Sequence, residues 1–230
     1  YHCSFNVSAY LLDHDRHEIW FYGIDTFADI FLNGQLIIQS KNMFHPWSAE
    51  VNNLLHEGEN TLDLHFFSPF HRGLEKYNKH GWQLPAINDT GEFRVSPYTR
   101  KSAYQYGWDW APRLLTSGIW KNIELIAFNK LKIRDFYIAQ KELAPSYVSL
   151  LCELELEVHS AGEYIFALFV DKDLLSTGKL RLIQGINKYS LPFGIHNPKL
   201  WYPRGYGNPD VYKITIDIKG DNGIIDTRQT

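Results

Sequence analysis

The sequence predicts an all-β protein, and three observations support that prediction. Apolar and polar residues alternate with a period of two along most of the chain, as at Leu62, Leu64 and Phe66, which is typical of strands with one buried face. The dipeptide Asn33-Gly34 lies between two apolar runs, and this predicts a hairpin because a type I′ turn needs positive φ at both central residues. Helical spacing is nearly absent; we expect only a single turn at residues 51–56.

The predicted strands fall into two blocks, and we place the domain boundary at residues 129 and 130. The first block, residues 1–129, opens with apolar residues at Phe5, Val7 and Ala9 that alternate with polar ones. The chain therefore looks as if it began inside a strand, and we expect the first strands of this domain to lie outside the sequence.

The second block covers residues 130–230. Apolar residues at every second position from 148 to 158, Cys152 among them, face one way, while Glu153, Glu155 and Glu157 face the other, which predicts a strand with one solvent-facing side. Further strands are predicted at residues 164–170, 189–193 and 212–218, with turns at 171–173 and 220–223. About 100 residues with this strand spacing are typical of an immunoglobulin-like sandwich.

Composition and charge disfavour several classes of partner. The net charge is −3 and the 23 Lys and Arg residues are scattered, so we expect no nucleic-acid partner. No apolar run approaches the ~20 residues of a membrane-spanning helix. Cys3 and Cys152 fall in different blocks, and His14 and His17 have an H-x-x-H spacing without a third ligand, so we expect no disulfide, no metal and no cofactor.

The most unusual stretch is YGWDWAP, residues 106–112, in which Asp109 stands between Trp108 and Trp110. It follows residues 68–106, where we find no periodic segment and expect a long loop, which in a compact domain is typical of functional segments. A pyranose has an apolar face and a rim of hydroxyls, so its site needs aromatic walls beside charged acceptors. The motif therefore predicts a sugar site; the alternatives are a distorted strand end, or buried indoles with Asp109 capping a turn.

Three residues near the motif are expected to support it: Arg100, Tyr106 and Arg113. Either arginine could fix Asp109 by a bidentate ion pair. Trp82 fits a sugar wall and a local loop core equally well. We find no two carboxylates that could act as acid and nucleophile across a cleft, so we predict no catalytic residue in this chain.

These motifs together resemble the N-terminal part of family 2 glycoside hydrolases, and most closely the β-mannosidases. The segments with this resemblance are GIDTFADIFLNGQLI (23–37), NMFHPW (42–47), EGENTLDLHFFSP (57–69), RKSAYQYGWDWAPRLLTSGIWKNIEL (100–125) and NPKLWYPRGYGNPDVYKITI (197–216). Only the fourth segment is more typical of β-mannosidases than of other family members.

The resemblance implies a jelly-roll, galactose-binding-domain-like β-sandwich over residues 1–129 and an immunoglobulin-like β-sandwich over 130–230. It implies that Asp109 hydrogen-bonds hydroxyls of a terminal mannose while Trp108 lines the pocket. In the family both catalytic glutamates lie on a later (β/α)8 barrel, the acid/base one directly after an asparagine, and the sequence contains no Asn-Glu pair. Position 111 is alanine where the family more often has glycine.

The expected function is therefore that of a non-catalytic fragment of an exo-acting, retaining β-mannosidase. Its partners would be a β-mannoside or manno-oligosaccharide substrate and the missing (β/α)8 domain. The alternatives are another family 2 glycosidase, such as a β-galactosidase or β-glucuronidase, a stand-alone carbohydrate-binding module, or a purely structural scaffold.

Overall fold

The computed structural model describes residues 1–221 and 223–230, which form sixteen strands and two α-helices in two compact units, Tyr1–Ala127 and Phe128–Thr230. The predicted all-β class is confirmed. The first unit begins with β1 (His2–Val7), α1 (Ala9–Leu12), β2 (Arg16–Phe21), β3 (Ile24–Asp25), β4 (Phe27–Leu32), β5 (Gln35–Lys41), β6 (Trp47–Glu50), β7 (Gly58–Phe67), α2 (Pro69–His80), β8 (Gly118–Ile119) and β9 (Ile123–Phe128). The second unit contains β10 (Leu131–Ala144), β11 (Tyr147–Val158), β12 (Gly162–Val170), β13 (Asp173–Leu182), β14 (Gly185–His196), β15 (Ile214–Gly220) and β16 (Gly223–Gln229).

The first unit is a β-sandwich. Its sheets have the strand orders β1-β7-β4-β5 and β6-β2-β9, and β3 pairs with β8 beside them. Alternate residues of the two larger sheets meet in one apolar core, which includes Ile19, Phe21, Ile30, Leu32, Leu62 and Leu64. Burial of these side chains is the main stabilisation of the unit.

The hairpin predicted at Asn33-Gly34 is confirmed. Strands β4 and β5 pair with Leu32 opposite Gln35, which leaves a two-residue loop. Asn33 and Gly34 have φ values of 50° and 81°, as a type I′ turn requires. The Asn33 side chain also accepts the Thr61 N–H at 2.8 Å, so the turn is tied to β7.

The second unit is also a sandwich, with sheets in the orders β10-β11-β14 and β13-β12-β15-β16. The alternation predicted for residues 148–158 is confirmed, since every second residue from Val148 to Val158 lies in the core while the intervening glutamates are half-buried. Cys152 is buried there, and burial raises the pKa of its thiol to about 12. The three further predicted strands form within β12, β14 and β15. The turn predicted at 220–223 includes Asn222, which lies outside the described residues.

Residues 68–106 are not an irregular loop throughout, and that prediction was wrong. Helix α2 begins after Ser68, whose hydroxyl accepts the His71 N–H, and it ends at Gly81, where φ is 84°. Gly73 lies in the interior of this helix and is buried. A Cβ at this position would lie 2.8 Å from the Val95 Cβ, so the glycine permits close packing of the helix on the segment that follows.

The other short helical segments are minor. The alternation at the chain start predicted a strand through Ala9, but Ser8 instead caps α1. The single turn expected at residues 51–56 forms, since the N–H groups of Leu54 and Leu55 both donate to the Val51 carbonyl. In the part of the chain that the structure describes, no helix has the length and apolarity needed to cross a membrane.

Candidate functional site

The centre of YGWDWAP is a tight turn at residues 108–111, called here the 108–111 turn. Two backbone hydrogen bonds close it: the Trp108 N–H donates to the Ala111 carbonyl at 3.2 Å, and the Ala111 N–H donates to the Trp108 carbonyl at 3.3 Å. Asp109 and Trp110 therefore occupy the two middle positions. Ala111 is not among the non-glycine residues with positive φ, so alanine in place of glycine carries no backbone penalty here.

All three motif side chains reach the solvent. Trp108 is 41% exposed and Trp110 is 80% exposed, and Asp109 is exposed between them. Among the residues with described positions, none makes a hydrogen bond or ion pair to the Asp109 carboxylate. The alternative in which both indoles belong to a sandwich core is therefore wrong, and Asp109 does not act as a turn cap.

The base of the turn is rigid because Tyr106 and Gly107 are buried. The Tyr106 hydroxyl hydrogen-bonds the Thr99 hydroxyl at 2.5 Å, and burial raises the pKa of Tyr106 to about 12. At Gly107 φ is 111°, and a Cβ would lie 2.6 Å from the Thr90 Oγ1. The chain therefore needs glycine directly before Trp108.

Arg113 does not pair with Asp109, which corrects the expected ion pair. Its Nε donates to the Asp89 carboxylate at 3.0 Å instead, and its guanidinium lies 5.7 Å from the centre of the Tyr106 ring. Asp89 is 2% exposed and accepts two further N–H bonds, from Gly91 and Ser96. A buried carboxylate costs far more to leave without a cation than an exposed one, so Arg113 binds Asp89.

Arg100 contacts its neighbours in the fold through its backbone. Its carbonyl accepts the Met43 N–H at 3.0 Å, and it forms an isolated bridge with Asn42. Its side chain is exposed, and no contact between it and Asp109 is found within residues 1–221 and 223–230. The expected ion pair of Arg100 with Asp109 is thus also not formed.

A second buried ion pair lies on the other flank of the motif, between Lys101 and Asp25. The Lys101 ammonium donates to the Asp25 carboxylate at 2.6 Å and to the Thr116 carbonyl at 2.6 Å. The Gln105 amide nitrogen donates to the same carboxylate at 3.2 Å, and its oxygen accepts the Thr116 hydroxyl at 2.9 Å. Burial lowers the pKa of Lys101, and the hydrogen bond to Asp25 opposes that shift.

These contacts anchor the 108–111 turn on both sides. Lys101 and Gln105 precede it, while Arg113 and Thr116 follow it, so each chain end that enters or leaves the turn is fixed by a buried polar contact. We missed Asp25, Asp89 and Gln105 at the sequence level. A signal for Asp25 existed, since it interrupts an apolar run from Phe21, and a carboxylate in such a run needs a partner.

The structure also places the His14/His17 pair and Trp82, two further features of the sequence. His14 and His17 direct ring nitrogens to backbone carbonyls of the α1 region, with His17 Nε2 2.7 Å from the Leu11 oxygen. Trp82 is 64% exposed, so it does not form a buried loop core. No group of three potential metal ligands occurs among the side chains that the structure describes.

Two family models match successive parts of the chain. A model described as glycosyl hydrolase 2 galactose-binding domain-like matches residues 1–121, and one described as glycosyl hydrolases family 2 matches residues 132–230. These matches agree with the two sandwiches and confirm the expected fold class.

Individual relatives are similar to the chain over most of its length. Beta-mannosidase B of Emericella nidulans is 32% identical over 206 residues, which cover 86% of this chain and 24% of the relative. Beta-mannosidase B of Thermothelomyces thermophilus is 32% identical over 218 residues, which cover 92% of this chain and 24% of the relative. The crystal structure of beta-D-mannosidase from Dictyoglomus thermophilum has a TM-score of 0.88 and 34% identity, over 98% of this chain and 28% of that chain.

The chain thus spans 24% of the length of these curated relatives. Since two models of one family match it in order and leave few residues unmatched, we conclude that the chain belongs to glycosyl hydrolase family 2.

Proposed function

We propose that these residues form the non-catalytic, sugar-recognising part of an exo-acting, retaining β-mannosidase that removes terminal non-reducing β-D-mannose. The 108–111 turn forms one wall of the pocket for the terminal mannose. Asp109 accepts hydrogen bonds from two neighbouring hydroxyls, Trp108 lines the pocket and Trp110 lies beside it. A (β/α)8 domain elsewhere in the full-length polypeptide supplies both catalytic carboxylates and the rest of the pocket.

The observation that carries this proposal is the pair of exposed indoles that flank Asp109, whose carboxylate has no partner in the described part of the chain. Two exposed indoles on one turn form an apolar patch beside a carboxylate, and an exposed apolar patch with a polar rim marks a binding site. The buried contacts of Arg113 and Lys101 fix the turn before any ligand binds, which reduces the entropy lost on binding. The relatives named as β-mannosidases support mannose as the sugar.

Substitution of Asp109 in the full-length polypeptide tests the proposal. We expect Asp109→Ala to lower kcat/KM for an aryl β-mannoside by about 30- to 4000-fold, because buried sugar hydroxyls lose about 2 to 5 kcal/mol of charged hydrogen bonding in the transition state. Asp109→Asn keeps the shape of the side chain but removes its charge, so it should lower kcat/KM by a smaller factor than Asp109→Ala. Asp173→Ala, an exposed aspartate of β13, is the matched control, and equal activity of Asp109→Ala and this control would exclude the role.

A stand-alone carbohydrate-binding module is the second candidate, since the three exposed side chains of the turn also suit a site that works without chemistry. It predicts that the 230-residue chain binds mannose or manno-oligosaccharides at this turn by itself. A pocket completed by another domain should bind them weakly at most. Calorimetric titration of the chain, with Asp109→Ala as the control, separates these two candidates.

A further inference from the structure

Another exposed indole, Trp82, is held on an aromatic base, away from the 108–111 turn in sequence. Trp82 follows the end of α2, where the left-handed conformation of Gly81 (φ 84°) reverses the chain. The reversal places the Trp82 ring over His80, with ring centres 5.0 Å apart and planes only 12° from parallel. Since Trp82 remains 64% exposed, the face turned away from His80 is toward solvent.

The base beneath this indole is fixed by hydrogen bonds. The Tyr98 hydroxyl donates to the Trp82 carbonyl at 2.7 Å and lies 3.2 Å from the His80 Nδ1. Tyr98 in turn packs edge-on against Tyr77 of α2, and its carbonyl accepts the Lys76 ammonium at 3.0 Å. A flexible loop tryptophan would collapse onto the apolar surface, whereas this one is held outward by the helix end and Tyr98.

The chemistry around Trp82 suits one sugar ring. An indole with one free face stacks on the C–H face of a pyranose, and polar groups at its edge bind the hydroxyls. Gln83, next in the chain, donates its amide nitrogen to the carbonyls of Leu84 and Arg94, which leaves its side-chain oxygen as an acceptor. A single ring of this kind is far smaller than the roughly 800 Å² per partner of a stable protein interface.

The chain that follows Trp82 contacts the base of the 108–111 turn through Asp89 and Thr90. Asp89, seven residues after Trp82, accepts from Arg113 at 3.0 Å, and the Thr90 N–H donates to the Tyr106 carbonyl at 3.2 Å. Seven residues span at most about 25 Å. Trp82 therefore lies within about 25 Å of a residue that contacts the base of the turn, a distance that an oligosaccharide of several sugar units can span.

We infer that Trp82 is the platform of a second sugar-binding subsite, which stacks on a pyranose of a β-linked manno-oligosaccharide beyond its terminal mannose. This inference rests on the proposed function for the identity of the sugar. It makes the preferred substrate an oligosaccharide, because only a substrate with more than one sugar unit offers a ring to Trp82 besides the terminal mannose at Asp109.

Activity of the full-length polypeptide on substrates of increasing length tests the subsite. We expect Trp82→Ala to lower kcat/KM for mannotriose and mannotetraose by about five- to tenfold through loss of stacking, and to leave kcat/KM for an aryl β-mannoside unchanged. The kcat/KM of Trp82→Phe for these oligosaccharides should lie between those of the unchanged protein and Trp82→Ala. Tyr137→Ala, an aromatic residue of β10 that is 61% exposed, is the control. Equal effects of Trp82→Ala on all lengths, no effect on any, or a lowered melting temperature with unchanged length dependence would contradict the subsite.

A binding measurement keeps this test separate from the proposed function. Each of the seven tryptophans gives one indole N–H signal in an NMR spectrum of the 230-residue chain, and the Trp82 signal is the one lost in Trp82→Phe. We expect mannotetraose at millimolar concentration to shift this signal. If the full-length polypeptide hydrolyses no β-mannoside but the signal shifts, the proposed function fails and the platform stands. If it hydrolyses mannosides and the signal does not shift, the subsite is wrong.

Discussion

Individual residues around the 108–111 turn differ sharply in environment. Asp109 is exposed, whereas Asp25 and Asp89 are 5% and 2% exposed and each contacts a cation. The buried pairs set the position of the turn, and its exposed residues are the ones that a ligand can reach. Buried ion pairs contribute little net stability, but removing one partner leaves the other charge buried without compensation.

Lys101→Met tests the role of the Asp25 pair in stability. We expect it to lower the free energy of unfolding by about 3 to 5 kcal/mol, because Asp25 then stays buried without a cation. Urea unfolding followed by tryptophan fluorescence measures this, since six of the seven tryptophans lie in the first unit.

A surface pair supplies the control for Lys101→Met. Arg16 contacts Glu50 at 2.5 Å, with the two side chains 35% and 56% exposed, so Arg16→Ala should cost only about 0 to 1 kcal/mol. The double variant Asp25→Asn with Lys101→Met should recover part of the loss, because no charge remains buried. A loss for Lys101→Met as small as that for Arg16→Ala would contradict the structural role of the pair.

At the scale of elements, helix α2 connects the sandwich core to the candidate site. Its buried residue Gly73 lies against Val95 and Thr99, and Thr99 hydrogen-bonds Tyr106 at the base of the turn. Its last residue, His80, supports Trp82. The packing of one helix therefore helps to position both Trp82 and the base of the 108–111 turn.

Gly73→Ala tests that packing. Alanine favours an isolated helix by about 1 kcal/mol over glycine, but here the new Cβ would lie 2.8 Å from the Val95 Cβ. We expect the clash to dominate and to lower the free energy of unfolding by about 1 to 3 kcal/mol. Asn78→Ala, at an exposed position of the same helix, should be neutral or slightly stabilising. A stabilised Gly73→Ala would show that the helix does not pack as described.

The sequence predicts regular elements well and the site only in part. The Asn33-Gly34 hairpin and the alternation of β11 were predicted because turn geometry and period-two burial are local properties. Helix α2 was missed because a packing contact with Val95 put a glycine in its interior. The prediction that Arg113 pairs with Asp109 was wrong, because its actual partner, Asp89, is 24 residues away in sequence. Which carboxylate is buried depends on the tertiary structure.

On the scale of the whole molecule, the chain has two sandwich units and spans 24% of the length of the curated relatives. A turn that exposes an acid between two indoles is half of a pocket at most, since a sugar pocket buries most of its ligand. We therefore expect the chain alone to be inactive and the full-length polypeptide to complete the site.

The most direct test of the central claim compares sugars. The full-length polypeptide is assayed side by side on aryl β-mannoside, β-galactoside and β-glucuronide, with the 230-residue chain as the control. We predict that the mannoside is hydrolysed preferentially and that the chain alone is inert. Preference for either other sugar, or hydrolysis by the chain alone, would contradict the assignment of the 108–111 turn to a terminal-mannose pocket completed by a separate catalytic domain.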